Sequence, residues 1–328
     1  MVAVTGAEGF IGSHLVEALV ARGHRVRAMV LYNAFGAWGW LDTLPAEVLE
    51  QVDVRLGDVR DPASVDELMD GAACVYHLAA LIGIPYSYRA PASYLATNAG
   101  GTLNVLEAAR RFGTPRVVHT STSEVYGTAR QVPIDEGHPL QGQSPYSATK
   151  IAADKLAQSY HLSFGTPVVT LRPFNTFGPR QSARAVIPTI IGQLASGGST
   201  VHIGAVAPTR DFTFVTDTAA AFVAVGSAKA DQVVGRELNA GTGIEISIGD
   251  LVATVARVMG RSYEIVTDPD RLRPEGSEVM RLVCNASALR DATGWAPQVE
   301  LAEGLRRTAA WLSEPANLAR YRTGAYNV

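Results

Sequence analysis

The chain has 328 residues, of which 47% are hydrophobic and 18% are charged, a composition typical of a globular protein with a large core. The net charge is −3 and no basic run stands out, which argues against nucleic acid as a partner. The sequence has neither an apolar stretch of membrane-spanning length nor a signal peptide, and its two cysteines, Cys74 and Cys284, are typical of reduced core residues. We therefore expect a cytoplasmic protein without a metal site or a membrane partner.

Short runs rich in β-branched residues alternate with helical patterns through the first half of the chain. Amphipathic stretches such as IGSHLVEALVARG and GTLNVLEAARRFG separate these runs, and Gly113 is the predicted C-cap of the second stretch. Alternation of this kind predicts an α/β fold with a doubly wound parallel sheet covered on both faces. The predicted strands are Val2–Thr5, Arg25–Val30, Val52–Leu56, Val75–His77, Arg116–Thr120 and Val168–Arg172.

Beyond about residue 175 the pattern becomes irregular, with more Pro and Gly, short strands and separate helices. Ser247 stands three residues before Asp250, ahead of the apolar run LVATVARVMG, which is typical of a helix N-cap. The sequence therefore predicts a doubly wound domain over residues 1–174. A smaller α/β lobe is predicted over residues 175–328, with some segments returning to pack on the first domain.

Three glycines spaced three residues apart lie between the first strand and the first helix, in TGAEGFIG. Gly6, Gly9 and Gly12 allow the backbone to turn tightly and to approach a pyrophosphate, whose charge the helix N-terminus attracts. This context predicts a Rossmann-like dinucleotide-binding site that also involves Phe10 and Ile11. The spacing is Gly-x-x-Gly-x-x-Gly, not the Gly-x-Gly-x-x-Gly of many dehydrogenases.

The loop, with GDV at 57–59, HLAA at 77–80 and YSATK at 146–150, resembles the extended short-chain dehydrogenase/reductases, which act on nucleotide sugars. RPFNTFGP and RDFTFVTD follow in the family's order, so the resemblance covers essentially the whole chain. It implies an NAD(P)-binding Rossmann domain, a C-terminal lobe for a nucleotide diphosphate sugar, and a homodimer. The dimer would form through the helix GTLNVLEAARR and the helix that carries YSATK.

The resemblance also implies cofactor contacts beyond the glycine loop. Asn98 would brace the active site from a neighbouring helix. The other implied contacts are Asp58 and Val59 at the adenine, Leu78, Ala79 and Ala80 along the pyrophosphate and ribose, and Tyr146 and Lys150 at the nicotinamide end.

The sequence gives only a weak indication of whether NAD or NADP binds. NAD enzymes usually have an acid at the end of the second strand for the adenosine ribose, whereas VRAMVLYN has Val30 and Leu31 there. No arginine stands directly beside them for a 2′-phosphate, so NAD is expected and NADP stays open. The segment NAFGAWGWLD either folds over the adenosine side or packs. His77 is expected to be a core histidine, and a strand-end turn is the alternative for Asp58.

Tyr146 and Lys150 stand four residues apart and therefore share one face of a helix. Lys150 and a positive nicotinamide are expected to lower the tyrosine pKa, which would make Tyr146 a base near neutral pH. By the resemblance, Thr122 hydrogen-bonds the same substrate oxygen. These three residues suffice to remove a hydride from C4 of a hexose, as in the 4-epimerases.

Glu124 has no part in that oxidation, yet it stands among hydroxyls in STSEVYG after a predicted core strand. Once C4 is a ketone, the C5 proton is acidic, and a neighbouring carboxylate can start loss of the C6 hydroxyl. The stretch resembles the sugar-nucleotide 4,6-dehydratases, with Glu124 as the C5 base. The dTDP-glucose enzymes have an acid at the position of Ser123, whereas the GDP-mannose enzymes have serine. Serine is a poor proton donor, so Glu124 is expected to return the proton in a syn elimination.

The longer runs TSTSEVYGTA, PLQGQSPYSATK and RPFNTFGPRQSARAVIPTI look most like bacterial dehydratases of nucleotide-linked N-acetylglucosamine that feed legionaminic-type sugars. By the resemblance, Arg210 and Arg273 bind the diphosphate, for which the arginine fork is suited. Asn175 would contact the substrate near the phosphates. The remaining candidates are Tyr86 and Ser87 at the sugar, and Arg184 and Arg180 in the following loop.

Other functions stay open at this point. A 4-epimerase would use Glu124 only in a hydrogen bond or turn, and a 5,6-dehydratase would stop before hydride returns to C6. A UDP-glucuronate decarboxylase should need a further cation for the C6 carboxylate, and none is identified. A nucleotide-sensing protein on the same fold would have no use for Tyr146 and Lys150, and fold alone does not separate these functions.

Overall fold

Seven parallel strands form the central sheet of the computed structural model, which describes residues 1–321 and, at residue 275, the backbone alone. The strands of all the sheets in the described residues are β1 (Val2–Thr5), β2 (Val26–Leu31), β3 (Val52–Gly57), β4 (Cys74–His77), β5 (Val117–Thr120), β6 (Val168–Pro173), β7 (Asn175–Phe177), β8 (Thr200–Ile203), β9 (Thr209–Phe214), β10 (Glu237–Ala240), β11 (Glu245–Ser247) and β12 (Glu264–Thr267). The central sheet has the order β10-β6-β5-β4-β1-β2-β3. The six predicted strands are all present, with ends shifted by at most one residue.

Helices cover both faces of this sheet, which confirms the predicted Rossmann-like α/β fold. Gly113 ends the helix Gly101–Phe112 in the left-handed conformation, with φ of 61°, and Ser144 starts the helix Pro145–Phe164 with a capping box to Ser147. The helices are α1 (Phe10–Val20), α2 (Ala46–Leu49), α3 (Pro62–Met69), α4 (Ile84–Ser87), α5 (Pro91–Tyr94), α6 (Gly101–Phe112), α7 (Pro145–Phe164), α8 (Val186–Ala195), α9 (Val215–Ser227), α10 (Ala230–Val233), α11 (Ile248–Met259), α12 (Ser287–Thr293), α13 (Leu301–Ser313) and α14 (Pro315–Leu318).

The strand order places the crevice of the sheet between β1 and β4. The chain moves outward from β1 to β2 and β3, and then returns to β4 on the other side of β1. At such a switch point the loops after neighbouring strands diverge, and ligands bind at the carboxyl ends of the strands. The loops after β1, β4 and β5 therefore surround the expected ligand site.

The second half of the chain builds a lobe with its own core. It contains the three-stranded sheet β11-β9-β7 and the pair β12-β8, packed around a cluster that includes Phe177, Ile190 and Leu251. Two later segments return to the main sheet, because α9 packs on α1 and β10 pairs with β6. The boundary at 174/175 stays a prediction, and residues 322–328 of the predicted lobe lie outside the described residues.

Within residues 1–321, no helix combines the length and the apolar character needed to cross a membrane.

Candidate active site

The glycine loop after β1 is held tightly against the loop after β4. The Thr5 hydroxyl accepts hydrogen bonds from the backbone N–H groups of Leu78 at 3.1 Å and Ala79 at 3.0 Å. Gly6 has a φ of 67°, and a Cβ on it would lie 2.8 Å from the Ala79 nitrogen. Only glycine fits this position, and the two loops together form one wall of the crevice.

The first turn of α1 is open to an anion. Its N-cap is Gly9, which offers no side-chain hydrogen bond, and no acidic residue lies in the first turn. A Cβ on Gly12 would lie 2.0 Å from the Gly6 carbonyl oxygen, so the loop closes directly onto the helix. The first N–H groups of α1 lack an intrahelical partner, so this helix end suits the binding of a pyrophosphate. Phe10 and Ile11 are half-buried beside it.

His77 joins the walls of the crevice and is structural, as expected. Its Nδ1 lies 2.9 Å from the Thr5 hydroxyl and its Nε2 lies 3.1 Å from the Thr102 hydroxyl. Thr102 itself donates to the Asn98 carbonyl, so its oxygen accepts from the histidine. Burial lowers the pKa of His77 well below its usual value, and the ring is neutral.

Asn98 bridges the loop after β4 and the helix that carries the tyrosine. Its amide accepts from the Leu81 N–H at 2.8 Å and donates to the Leu81 carbonyl at 3.0 Å. The same amide nitrogen donates to the Thr149 hydroxyl at 3.0 Å, and Thr149 donates to the carbonyl of Tyr146. Asn98 thus lies where the predicted brace would be, while Ala79 and Ala80 line the crevice half-buried.

The residues after β3 form a strand-end turn. Asp58 accepts from the Arg60 backbone N–H at 2.9 Å, and hydrogen bonds from the Arg60 guanidinium hold the pKa of its carboxyl below the usual value. Val59 is buried, and a Cβ on Gly101 would lie 2.8 Å from its Cγ2. The alternative of a turn for Asp58 therefore describes the local structure, and contact with adenine stays a prediction.

The aromatic segment NAFGAWGWLD packs in part on the rest of the protein, and its contact with adenosine stays a prediction. The Asn33 side chain accepts from the backbone N–H groups of Phe35 and Ala37, which makes a compact turn beside the end of β2. Phe35 at its tip is 92% exposed. Trp40 instead packs in a T-shaped contact with Trp311, 5.6 Å between ring centroids.

Tyr146 and Lys150 lie buried on one face of the first two turns of α7. The Lys150 ammonium donates to the Thr120 carbonyl at 2.6 Å, at the end of β5. Burial lowers the pKa of Lys150 to about 8, although the charge of Asp154 opposes the shift. Burial raises the pKa of Tyr146, opposed by a hydrogen bond with Thr122. This direction is opposite to the lowered tyrosine pKa that we expected with a bound nicotinamide, because burial and the nearby acidic groups both raise the pKa and only the Thr122 hydrogen bond lowers it.

The buried lysine predicts a pH dependence of stability. The pKa of Lys150 is 10.5 when unfolded and about 8 when folded, so between these values the unfolded state holds a proton that the folded state has lost. The free energy of unfolding therefore rises with pH there, by about 1.4 kcal/mol per pH unit. Denaturant unfolding of wild type and Lys150→Met from pH 7 to 10 should show the wild type gaining relative to the variant.

The matched control is Lys155→Met, because Lys155 is exposed on the same helix. It should follow the wild-type pH curve. Parallel curves for wild type and Lys150→Met would show that the buried amine keeps an ordinary pKa.

The turn after β5 brings the hydroxyls and the carboxylate to the tyrosine. Thr122 caps a 3₁₀ helix over Ser123–Tyr126, and its hydroxyl accepts from the Glu124 N–H at 3.2 Å. Thr122 and Glu124 are half-buried, and the Glu124 charge acts on both Tyr146 and Arg210. Ser123 is 2% exposed, because the turn points it inward. This placement counts against Ser123 as a group that reaches a substrate.

Two arginines of the second lobe converge on one carboxylate. Arg210, on β9, is buried and donates to Glu278 Oε1 at 3.2 Å. The Nη1 of Arg273 lies 3.8 Å from the same oxygen and makes no hydrogen bond within the described residues. Two guanidinium groups around one anion suit a diphosphate. Nothing in the sequence marked Glu278 as their partner.

The other residues predicted to bind substrate differ in burial and in hydrogen bonding. Asn175 starts β7, and its Nδ2 is buried without a hydrogen-bond partner in the part of the chain that the structure describes. Tyr86 is 41% exposed. Ser87 is 0% exposed and its hydroxyl donates to the Ile84 carbonyl, so the prediction that it faces the sugar is wrong for this structure. Arg184 is exposed, with Nη1 beside Gly83.

Arg180 makes an ion pair with Glu17 on α1, at 2.7 Å, so its guanidinium already has a partner within the protein.

Sequence reasoning missed two further residues of the site. Tyr94 is buried with its ring in a T-shaped contact with Tyr146, 6.3 Å between centroids, and its hydroxyl donates to the Gly83 carbonyl. Asp154 is buried and accepts from the Ser121 hydroxyl at 2.8 Å and the Arg172 guanidinium at 3.0 Å. Asp154 could have been found, because it continues the spacing of four from Tyr146 and Lys150. Within residues 1–321 no cluster of His, Cys, Asp and Glu could hold a metal ion.

The sheet order, the glycine loop and the Tyr–Lys helix together define an extended short-chain dehydrogenase/reductase of the nucleotide-sugar dehydratase and epimerase class. Within that class, the family model described as GDP-mannose 4,6 dehydratase matches residues 3–308, and the chain belongs to this family.

Similar proteins include both dehydratases and epimerases. A UDP-glucose 4-epimerase of Mycolicibacterium smegmatis is 33% identical over 309 residues, 93% of this chain and 96% of that protein. A dTDP-glucose 4,6-dehydratase of Streptomyces antibioticus is 32% identical over 312 residues, 94% and 91% of the two chains. A solved dTDP-glucose 4,6-dehydratase double mutant from Streptomyces venezuelae, with NAD and DAU bound, has a TM-score of 0.86 at 27% identity and covers 98% of each chain.

Proposed function

We propose that this protein is a nucleotide-sugar 4,6-dehydratase that uses bound, recycled NAD, and that its substrate is a nucleoside diphosphate-linked N-acetylglucosamine. The observation that carries the proposal is the half-buried Glu124 carboxylate in the turn capped by Thr122, whose charge acts on Tyr146. Oxidation at C4 needs only Tyr146, Lys150 and a hydroxyl, so the extra carboxylate calls for a further reaction. The sugar is proposed from the resemblance of the longer sequence runs.

The crevice suits NAD on three counts. The glycine loop packs so tightly that a side chain at Gly6 would clash with Ala79, and one at Gly12 would clash with the Gly6 carbonyl. The first turn of α1 is free of side-chain caps and acids. Tyr146 and Lys150 stand at the opposite end, where a nicotinamide would lie. Bound NAD would supply a hydride acceptor and donor.

Tyr146 begins the reaction by taking the proton of the C4 hydroxyl, while Thr122 hydrogen-bonds the same oxygen. The positive charge of Lys150, and that of an oxidised cofactor, favour the tyrosinate that this step requires. Asn98 and Thr149 hold the backbone at Tyr146, so the phenol is presented in one orientation.

Glu124 acts once C4 is a ketone. Its carboxylate removes the proton from C5, electrons move into the C5–C6 bond, and the C6 hydroxyl leaves. The same carboxyl returns its proton to that hydroxyl, so one water is released and Glu124 ends ionised. Ser123 is turned inward, which supports one group for both proton transfers. The hydride held by bound NAD would then return to C6 and a solvent proton would add at C5, while Tyr146 would release to solvent the proton it took from the C4 hydroxyl. The product would be the 4-keto-6-deoxy sugar.

Arg210 and Arg273 are proposed to bind the diphosphate. In the protein alone, Glu278 lies between them as a competing anion. A diphosphate that forks onto both arginines would replace this carboxylate as their partner. The unpartnered amide of Asn175 supports a polar contact from the neighbouring strand β7.

A 4-epimerase is the second candidate, favoured by the 33% identity with a protein of that name. It would rotate the 4-keto sugar and return the hydride to C4, leaving Glu124 without a proton to move. A 5,6-dehydratase would also use Glu124 and would release the 5,6-ene.

Mass spectrometry of reactions with UDP-GlcNAc, GDP-GlcNAc, UDP-glucose, dTDP-glucose and GDP-mannose, each without added reductant, tests the proposal. We expect one N-acetylglucosamine nucleotide to lose one water and to give a 4-keto-6-deoxy sugar. An unchanged mass with an inverted C4 in any of them would establish the epimerase instead.

We further propose a cytoplasmic homodimer. Exposed apolar side chains lie on both helices expected at the interface, Leu103 and Phe112 on α6 and Leu162 and Phe164 on α7. Light scattering should give about twice the chain mass of 34.8 kDa, and a single chain mass would refute the dimer. Buried Cys74 and Cys284, both without a disulfide, support the location.

A further inference from the structure

The carboxylate of Glu8 reaches the end of β2 from the glycine loop. Its Oε1 accepts a hydrogen bond at 3.1 Å from the backbone N–H of Leu31, the last residue of β2. Its Oε2 is buried and has no hydrogen-bond partner among residues 1–321. Glu8 therefore places a half-satisfied carboxylate between the glycine loop and β2, where Val30 and Leu31 offer no acid of their own.

This arrangement destabilises the protein when no ligand is bound. A buried carboxylate oxygen without a hydrogen-bond donor loses its hydrogen bonds to water, and no hydrogen bond within the protein replaces them. Burial raises the pKa of Glu8, and the hydrogen bonds with backbone N–H groups offset only part of the effect. A site of this kind is explained when a ligand supplies the missing donors.

The backbone holds Glu8 in this position from a second side. The Trp40 N–H donates to the Glu8 carbonyl at 3.0 Å. Gly39 has a φ of 60°, and a Cβ on it would lie 2.8 Å from that same oxygen. The segment NAFGAWGWLD thus closes against Glu8, and the carboxylate cannot easily move away from the end of β2.

We propose that Glu8 binds the adenosine ribose hydroxyls and selects NAD over NADP. The inference rests on the proposed dinucleotide cofactor. A carboxylate at the end of β2 accepts hydrogen bonds from the ribose hydroxyls, and Glu8 reaches this place from the neighbouring loop. It would repel a 2′-phosphate. On the neighbouring strand β3 and in the turn after it, Arg55 pairs with Asp53 and Arg60 pairs with Asp58.

Binding of NADH and NADPH, followed by nicotinamide fluorescence after exchange of copurified nucleotide, tests the role directly. Wild type should prefer NADH. In Glu8→Gln, which keeps the shape and removes the charge, the ratio of the two dissociation constants should fall by roughly 10- to 100-fold. Glu8→Ala should lose the preference as well, and it serves if the glutamine variant does not fold. Glu50→Gln, at an exposed carboxylate after α2, should keep the wild-type ratio.

An unchanged ratio in the Glu8 variants would overturn the role of Glu8 and leave the proposed reaction intact. A wild type that binds neither nucleotide would instead refute the cofactor itself, and with it the proposed function. A wild type that prefers NADPH would also overturn the inference.

Discussion

Glu124→Gln is expected to slow water elimination by roughly 10²- to 10⁴-fold, the contribution typical of a positioned general base. Glutamine keeps the size of the side chain and cannot take the C5 proton. Oxidation at C4 depends on Tyr146, Thr122 and Lys150, so it should survive. Mixing the variant with substrate should therefore give a persistent absorbance of reduced nicotinamide, whereas wild type should show this absorbance only transiently.

Glu50→Gln is again the matched control, because it removes an exposed carboxylate after α2. It should behave as wild type in both readouts. If Glu124→Gln releases water at the wild-type rate, Glu124 has no part in the reaction and is a turn residue.

Tyr146→Phe is expected to abolish the reaction one step earlier. Without the phenol no group takes the C4 hydroxyl proton, so both the nicotinamide signal and water release should fall by roughly 10²- to 10⁴-fold. Stopped-flow absorbance and product mass measure the two. This double loss separates Tyr146→Phe from Glu124→Gln, which loses only the later step.

Tyr94→Phe is the control for loss of a neighbouring hydroxyl, since it keeps the ring that contacts Tyr146 and removes only the hydroxyl that donates to Gly83. It should retain most C4 oxidation. Equal losses in Tyr94→Phe and Tyr146→Phe would mean that removing either buried hydroxyl disrupts the site, and the loss in Tyr146→Phe would then not identify Tyr146 as a base.

The fold followed from local sequence because its signals are local. The β-branched runs of β1 and β6 are buried on both faces of a parallel sheet, so they stand out as continuous apolar segments. Gly12 is required by a clash with the Gly6 carbonyl of the same loop, whereas the clash at Gly6 is with Ala79 of the loop after β4. Tyr146 and Lys150 needed only the spacing of one helix.

Other parts of the site depend on contacts that spacing does not encode. Glu278 meets Arg210 from a distant segment, and Glu8 in the loop after β1 meets the end of the neighbouring strand β2. Whether Ser87 and Ser123 face the crevice or the core is decided by the orientation of short turns, and both proved to be buried. The raised pKa of Tyr146 comes from burial by Tyr94 and Ile84, which sequence spacing did not reveal.

The most direct test of the central claim follows one hydrogen atom. The substrate identified by mass spectrometry is prepared with deuterium at C4, and the product is analysed by NMR. A 4,6-dehydratase should release one water and carry the deuterium at C6. Deuterium retained at C4 of a product that has lost no water would contradict the account and establish an epimerase.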